Sequence, residues 1–290
     1  MEQLETFINP FRPGSGQQPP YLAGRQDEQE ELLRFLKQAA ITDNVILIGV
    51  SGAGKTVLLD SIKPYAQAEG WLWVATDLTG LAGVAEEELA ERLIAALSVT
   101  SRMIEITADM QESTGIPREQ IDPRLQLSHD RLMAVYRETP GPTAGKLTAA
   151  LKFLAPYFGR TGRRGILFAI DEAQNLSAHG ANDLASIALL LAVFQEIQNE
   201  NIPFQLVLAG LPSLWPQVTE ARETAQQMFR TVTLKPLSEQ ESRAAVTIPL
   251  SNAPPPSPFS DAVVASIVQH AGGIPLFLQF FAREAFDLWN

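Results

Sequence analysis

The run Gly49-Val50-Ser51-Gly52-Ala53-Gly54-Lys55-Thr56 fits the pattern G-x-x-x-x-G-K-[ST], and its flanks fix the surrounding architecture. Asn44-Val45-Ile46-Leu47-Ile48 before it is apolar and β-branched, which reads as a buried strand. Val57-Leu58-Leu59-Asp60-Ser61-Ile62 after it opens a helix that meets no breaker before Pro64. Glycines lack the Cβ that would stop backbone N–H groups from turning inward around a phosphate. The helix N-terminus adds partial positive charge. In this pattern Lys55 reaches the β- and γ-phosphates, and the Thr56 hydroxyl, beside Val57, ligates Mg²⁺. The sequence predicts a site for ATP or ADP with Mg²⁺.

Strands and helices go on alternating. Residues 71–75, 166–170, 204–209 and 231–234 read as strands, and 27–40, 86–97 and 183–198 as helices. Continuous apolar strands between helices predict an α/β fold, a parallel five-stranded sheet with helices on both faces. The stretch 98–165 is longer than a connection needs and reads as an insertion, with helices over 124–136 and 143–158 and turns at Pro117 and Pro140-Gly141-Pro142. After Pro236 only helices follow, over 239–247, 260–270 and 275–289, with a Pro-rich loop over 253–258. The predicted organisation is an extended arm over 1–20, a core over 21–236 and a small all-helical lid subdomain over 237–290.

Composition narrows the setting. With 46% hydrophobic and 19% charged residues the chain can bury a full core. The absence of cysteine excludes disulfides and thiolate metal sites. The acidic start Met1-Glu2-Gln3-Leu4-Glu5 is unlike a signal peptide, and the apolar run 184–194 is too short to span a bilayer. A soluble cytoplasmic protein without a membrane partner is expected. A net charge of −11 disfavours nucleic acid as a partner, and the cluster Arg160, Arg163 and Arg164 reads as a solvated loop. His129, His179 and His270 share no ligand spacing, so no metal beyond Mg²⁺ is expected. Trp71, Trp73 and Leu189-Leu190-Leu191 read as core.

The strand over 166–170 ends in Asp171-Glu172. Ligands of open α/β sheets gather at the carboxyl ends of the strands. Asp171 there would orient Mg²⁺ through water, and Glu172 would polarise the attacking water.

On these residues the chain resembles AAA+ or STAND-type P-loop ATPases, in particular the bacterial group related to origin-recognition and transposition-associated ATPases. Four segments carry the resemblance. Tyr21-Leu22-Ala23-Gly24-Arg25 resembles the leading segment that packs against adenine, which implies Gly24 and Arg25 at the nucleotide. The phosphate loop is the family's Walker A motif. Asp171-Glu172-Ala173-Gln174-Asn175-Leu176 resembles the Walker B stretch. Gly272-Gly273-Ile274-Pro275-Leu276 resembles the Gly-x-Pro motif of the STAND lid, which implies that Pro275 contacts the nucleotide.

The resemblance implies a Mg²⁺-dependent ATPase whose hydrolysis drives conformational switching or assembly with a protein partner, and a homo-oligomer formed on ATP binding. It implies an arginine finger at Arg230, with Arg222 as the alternative. A nucleotide-gated switch with little turnover and a DNA-associated loader or transposition-type ATPase are the rival readings. The Asp171-Glu172 pair and the helical lid argue against a small-molecule kinase. The sequence departs from the family in two places. Ala209-Gly210-Leu211-Pro212-Ser213 ends the fourth strand without the usual polar sensor; Ser213 is the side chain that could serve, and Gly210 would permit a close backbone approach. The lid has no arginine where Pro275 stands. Both departures predict slow hydrolysis with binding intact. Against that resemblance, a sequence that stops soon after the lid helices is expected to be a truncated or minimal member, lacking the winged-helix or effector module.

Overall fold

The computed structural model describes residues 9–38, 43–81, 83–101, 127–156, 163–177, 184–251 and 259–289. Pro117, Arg160, His179 and the Pro-rich loop over 253–258 lie outside the described residues, as do the first residues of the arm and of the helix expected over 124–136. The chain divides into two compact units. One comprises Met1–Leu33, Gly49–Ile62 and Thr233–Asn290, the other Arg34–Ile48 and Lys63–Val232.

The second unit is built on the sheet. The strands, of which only Gly49, Thr233 and Leu234 fall in the first unit, are β1 (Asn44–Gly49), β2 (Trp71–Asp77), β3 (Gly165–Asp171), β4 (Phe204–Gly210) and β5 (Phe229–Leu234). They lie in the order β2-β3-β4-β1-β5, a five-stranded parallel sheet as expected. Register sets the edge that matters. Ile170 is level with Leu208, and Leu208 with Ile46, so Asp171 stands where β3 leaves the sheet. Strands β1 to β4 are mostly apolar because both faces are covered, and every residue of β4 is buried; β5, at the edge of the sheet, exposes Arg230, Thr231 and Thr233.

Helices of this unit include α3 (Glu86–Ser101), α4 (His129–Glu138), α5 (Thr143–Lys152), α6 (Ala185–Asn199), α7 (Leu214–Ala221) and the short α8 (Ala225–Met228). Leu93 and Leu97 of α3, Leu132 of α4, Leu151 of α5 and Phe194 of α6 join Phe168 and Leu206 of the sheet in one core. Phe168 meets Phe194 edge-on at 5.3 Å. The described helices of the 98–165 stretch therefore belong to this core, with Ser128 capping α4. Trp71, Trp73 and Leu189 to Leu191 are buried, as expected. Arg164 is not a solvated side chain. It donates to the Gln38 carbonyl and lies over the Trp71 ring.

The first unit gathers both ends of the chain. It holds most of α1 (Gln26–Leu36), the first turns of α2 (Lys55–Ala68), and the helices α9 (Glu239–Ser251), α10 (Asp261–Ala271) and α11 (Pro275–Trp289). Helix α1 stops at Leu36 rather than near residue 40, where Lys37 and Gln38 close tighter i−3 bonds. Pro64, expected as a breaker, lies inside α2, which runs on to Ala68. Ile62 and Ala66, two residues to either side of it in sequence, are buried, and that burial outweighs the one hydrogen bond proline cannot make. The core of the three C-terminal helices includes Val246, Val264, Leu278 and Phe286, and Phe11 of the arm is buried among them. Among the described residues no helix is long and apolar enough to cross a membrane.

Candidate nucleotide site

The phosphate loop turns at Gly52 (φ 78°) and Gly54 (φ 93°), backbone that side chains other than glycine adopt at a cost. Lys55 is buried. Its Nζ donates to the carbonyls of Gly49 at 3.0 Å and Val50 at 3.2 Å, so the ammonium is folded back along the loop. Thr56 opens the second position of α2 and is partly exposed.

Three other parts of the same unit hold this loop. Arg25 is 4% exposed, and its Nη2 donates to the Ala53 carbonyl at 3.1 Å and to the Lys235 carbonyl at 2.8 Å. Burial pulls its pKa below the ordinary value, and the carboxylates of Glu28 and Glu241 oppose that pull. Gly24 (φ 57°) lies against the start of α9; a Cβ there would stand 2.5 Å from the Glu241 carboxyl carbon. That carboxylate closes a capping box, accepting from the Ser238 backbone N–H at 2.7 Å.

At the far end of the chain, the Leu276 N–H donates to the Gly52 carbonyl at 3.2 Å, and Ile274 and Leu276 pack on Gly52. Pro275 is the first residue of α11, a position where its missing N–H costs nothing. Gly273 before it is required: a Cβ would stand 2.5 Å from the Leu237 carbonyl oxygen. The N-terminal arm supplies the third support. Gln18 donates to the Val57 carbonyl at 2.9 Å, and Gly16 passes close to Thr56.

In the sheet unit, Asp171 accepts the Glu172 N–H at 2.8 Å through Oδ1, and its carbonyl accepts from Leu78. Glu172 sits at φ 52°, ψ 39°, left-handed backbone that is strained for any residue but glycine. Its Oε2 accepts from Gln174 Nε2 at 2.5 Å, and Asn175 ties the turn to the Leu78 carbonyl at 3.0 Å.

The sequence pattern of the AAA ATPase domain matches residues 21–208, well over half of the chain. The chain belongs to the AAA ATPase family. No curated protein matches it in sequence. Among solved structures it is similar to Cdc6p from Pyrobaculum aerophilum, with a TM-score of 0.61 at 14% identity over 94% of this chain and 64% of that one. It is also similar to the Aeropyrum pernix ORC2 protein in its ADPNP–ADP complexes (TM-score 0.57, 15% identity, 96% of this chain and 70% of that one). The A. pernix ORC1 protein in complex with DNA matches at a TM-score of 0.50 and 16% identity, over 90% of this chain and 59% of that one. These likenesses establish an origin-recognition-like AAA+ fold. The chain spans under two thirds of the length of the Cdc6p and ORC1 proteins.

In this AAA ATPase the Thr56 hydroxyl of the first unit and the Asp171 carboxylate of the second are hard oxygens. Oxygens of that kind suit an ion such as Mg²⁺, which keeps several waters and takes one or two protein ligands. No cluster of three or more His, Asp or Glu able to hold another metal occurs among the described residues. Arg230 is the second residue of β5, which begins at Phe229 rather than after the arginine, and its side chain is exposed. Arg222 caps the C-terminus of α7 and donates to the Thr224 hydroxyl. Ser213 is exposed at the start of α7 and makes no capping bond. Neither Gln174 as a partner for Glu172 nor Arg25 as a brace for the loop is legible in the sequence. Both depend on which backbone carbonyls and N–H groups come near, and no side-chain pattern records that.

Proposed function

We propose that this AAA ATPase binds ATP through residues 49–57, hydrolyses it with Mg²⁺, and uses the cycle to reposition its C-terminal helices or a protein partner. The observation that carries the switching part is the bond from the Leu276 N–H to the Gly52 carbonyl. It couples the first turn of α11 to a peptide of the phosphate loop, so a loop that rearranges around phosphates must stretch or keep that bond.

In this reading Lys55 leaves the Gly49 and Val50 carbonyls for the β- and γ-phosphate oxygens. Thr56 and Asp171 would hold Mg²⁺, which would supply charge neutralisation on the phosphate oxygens. Glu172 takes a proton from water as the water oxygen bonds to the terminal phosphorus, and the bridging oxygen departs with ADP. Arg230, on an exposed strand position, acts on the phosphates bound by a second copy. Activity per subunit then rises with protein concentration, and Arg230→Ala flattens that rise.

Phosphate release tests the chemistry. Glu172→Gln should retain MgATP and lose about 10²–10⁴-fold in turnover. Turnover equal to the parent's removes Glu172 from this role. Hydrogen exchange at residues 274–278 tests the coupling; protection that is the same with ADP and with a non-hydrolysable ATP analogue argues against it.

A further inference from the structure

The fourth strand ends in Ala209-Gly210 and runs on into Leu211-Pro212, with no polar side chain at these positions. Its backbone is polar, and one residue uses it. Gln174 Oε1 accepts the Leu211 N–H at 3.0 Å, while Gln174 Nε2 donates to Glu172 Oε2 at 2.5 Å. A side-chain amide has one acceptor oxygen and one donor nitrogen, and only its bonds decide which way round they lie. The Leu211 N–H can be satisfied only by the oxygen. It therefore turns the NH₂ toward Glu172 and leaves that carboxylate's other oxygen for water.

Gly210 makes room for this arrangement. A Cβ there would stand 2.6 Å from Gln174 Oε1, 2.9 Å from Leu214 Cδ2 and 3.3 Å from the Gln174 backbone nitrogen. Gly210 is absent from the residues with positive φ, so space rather than backbone freedom requires the glycine.

We propose that Gln174 is the positioning residue for Glu172, and that Gly210 and the Leu211 N–H at the end of β4 set the orientation of its amide. The backbone of β4 thereby does, through Gln174, what a polar side chain at the strand end would otherwise do. This rests on the reading of Glu172 as the group that activates water.

The test measures kcat and MgATP affinity for Glu172→Gln, Gln174→Ala, Gln174→Glu, Gly210→Ala and the Gln174→Ala/Gly210→Ala pair. Gln174→Ala should lower kcat on the order of tenfold or more and leave affinity within about twofold, because the base is misplaced while the phosphate loop is untouched. Gly210→Ala should do the same, and the pair should be no slower than either alone, since both remove one arrangement. Gln174→Glu keeps an acceptor for Leu211 but replaces the donor to Glu172 with a like charge, so it should be at least as slow as Gln174→Ala. That variant decides the matter if Gly210→Ala fails to fold. A parent-like kcat in Gln174→Ala or Gln174→Glu, with Glu172→Gln inactive, overturns the role of Gln174 alone. Losses that multiply in the pair overturn the shared arrangement. Parent-like turnover in Glu172→Gln, or none in the parent, removes the underlying reading and this inference with it.

Discussion

The phosphate loop and the acidic end of β3 are both short, and they are held in place by different means. The loop is braced through its own carbonyls, by groups drawn from the arm, from Arg25 and from the first turn of α11. The end of β3 is braced by side-chain amides of the turn that follows it, Gln174 and Asn175, anchored on the neighbouring strand ends. A loop that must wrap a ligand with its N–H groups has only carbonyls to offer the scaffold. In a trans peptide the carbonyl points opposite to the next N–H, so fixing the Ala53 oxygen on Arg25 also aims the Gly54 N–H the other way. Distant residues should therefore govern nucleotide affinity, whereas close neighbours should govern turnover.

The strongest challenge to that contrast lies in the loop. Lys55→Ala should weaken ATP binding by about a hundredfold, the loss of a charge-assisted contact of roughly 3 kcal/mol. Titration with a fluorescent nucleotide would show it, and a small effect would mean that the braces matter more than the lysine. Next comes Arg25→Met, which leaves the Ala53 and Lys235 carbonyls unpaired at a cost of about 1–3 kcal/mol each. We expect a lower melting temperature and about tenfold weaker ADP binding, with the ratio of ATP turnover to bound ATP preserved. A fall in that ratio would erase the contrast.

Gly273→Ala should destabilise the C-terminal helices by roughly 1–3 kcal/mol, because its backbone is left-handed and a methyl meets the Leu237 carbonyl. Denaturant unfolding measures this, and an unchanged midpoint would show that the α10–α11 turn can shift freely. The smallest effect belongs to Ser238→Ala, about 1 kcal/mol from the lost capping box. The bonds from the Ser238 hydroxyl and backbone N–H hold the Glu241 carboxyl below its ordinary value near 4.5. A lowered carboxyl pKa contributes stability that is complete above the unfolded value and fades as pH falls through the folded one. The gap between parent and variant should therefore close in acid, and a gap independent of pH would count against the cap.

Much of the fold was legible because it rests on local chemistry. Strands β1 to β4 are largely apolar runs, and the phosphate loop carries its glycines in a fixed pattern. What escaped was tertiary. Pro64 reads as a stop in isolation, and only the burial of Ile62 and Ala66 carries the helix past it. Asp171 and Glu172 could be picked out as carboxylates ending an apolar strand, but Gln174 could not be singled out as their partner. Its role depends on Leu211 standing 3.0 Å away across the strand order, and the spacing of residues along the chain does not encode that. Gly210 showed in the sequence only as a hint of close approach; the atom it admits belongs to a residue far upstream.

The arm has a practical consequence for anyone choosing where to cut this gene. The AAA ATPase pattern begins at residue 21, which invites expression from Tyr21. Phe11 is 3% exposed, stacks on Phe259, and lies among the C-terminal helices, where Asn9 bonds the Arg283 carbonyl and Asp287 and the Arg12 N–H reaches Gln279. A product trimmed at the pattern's edge would leave that apolar seat open to water and to other molecules, and would be prone to precipitate.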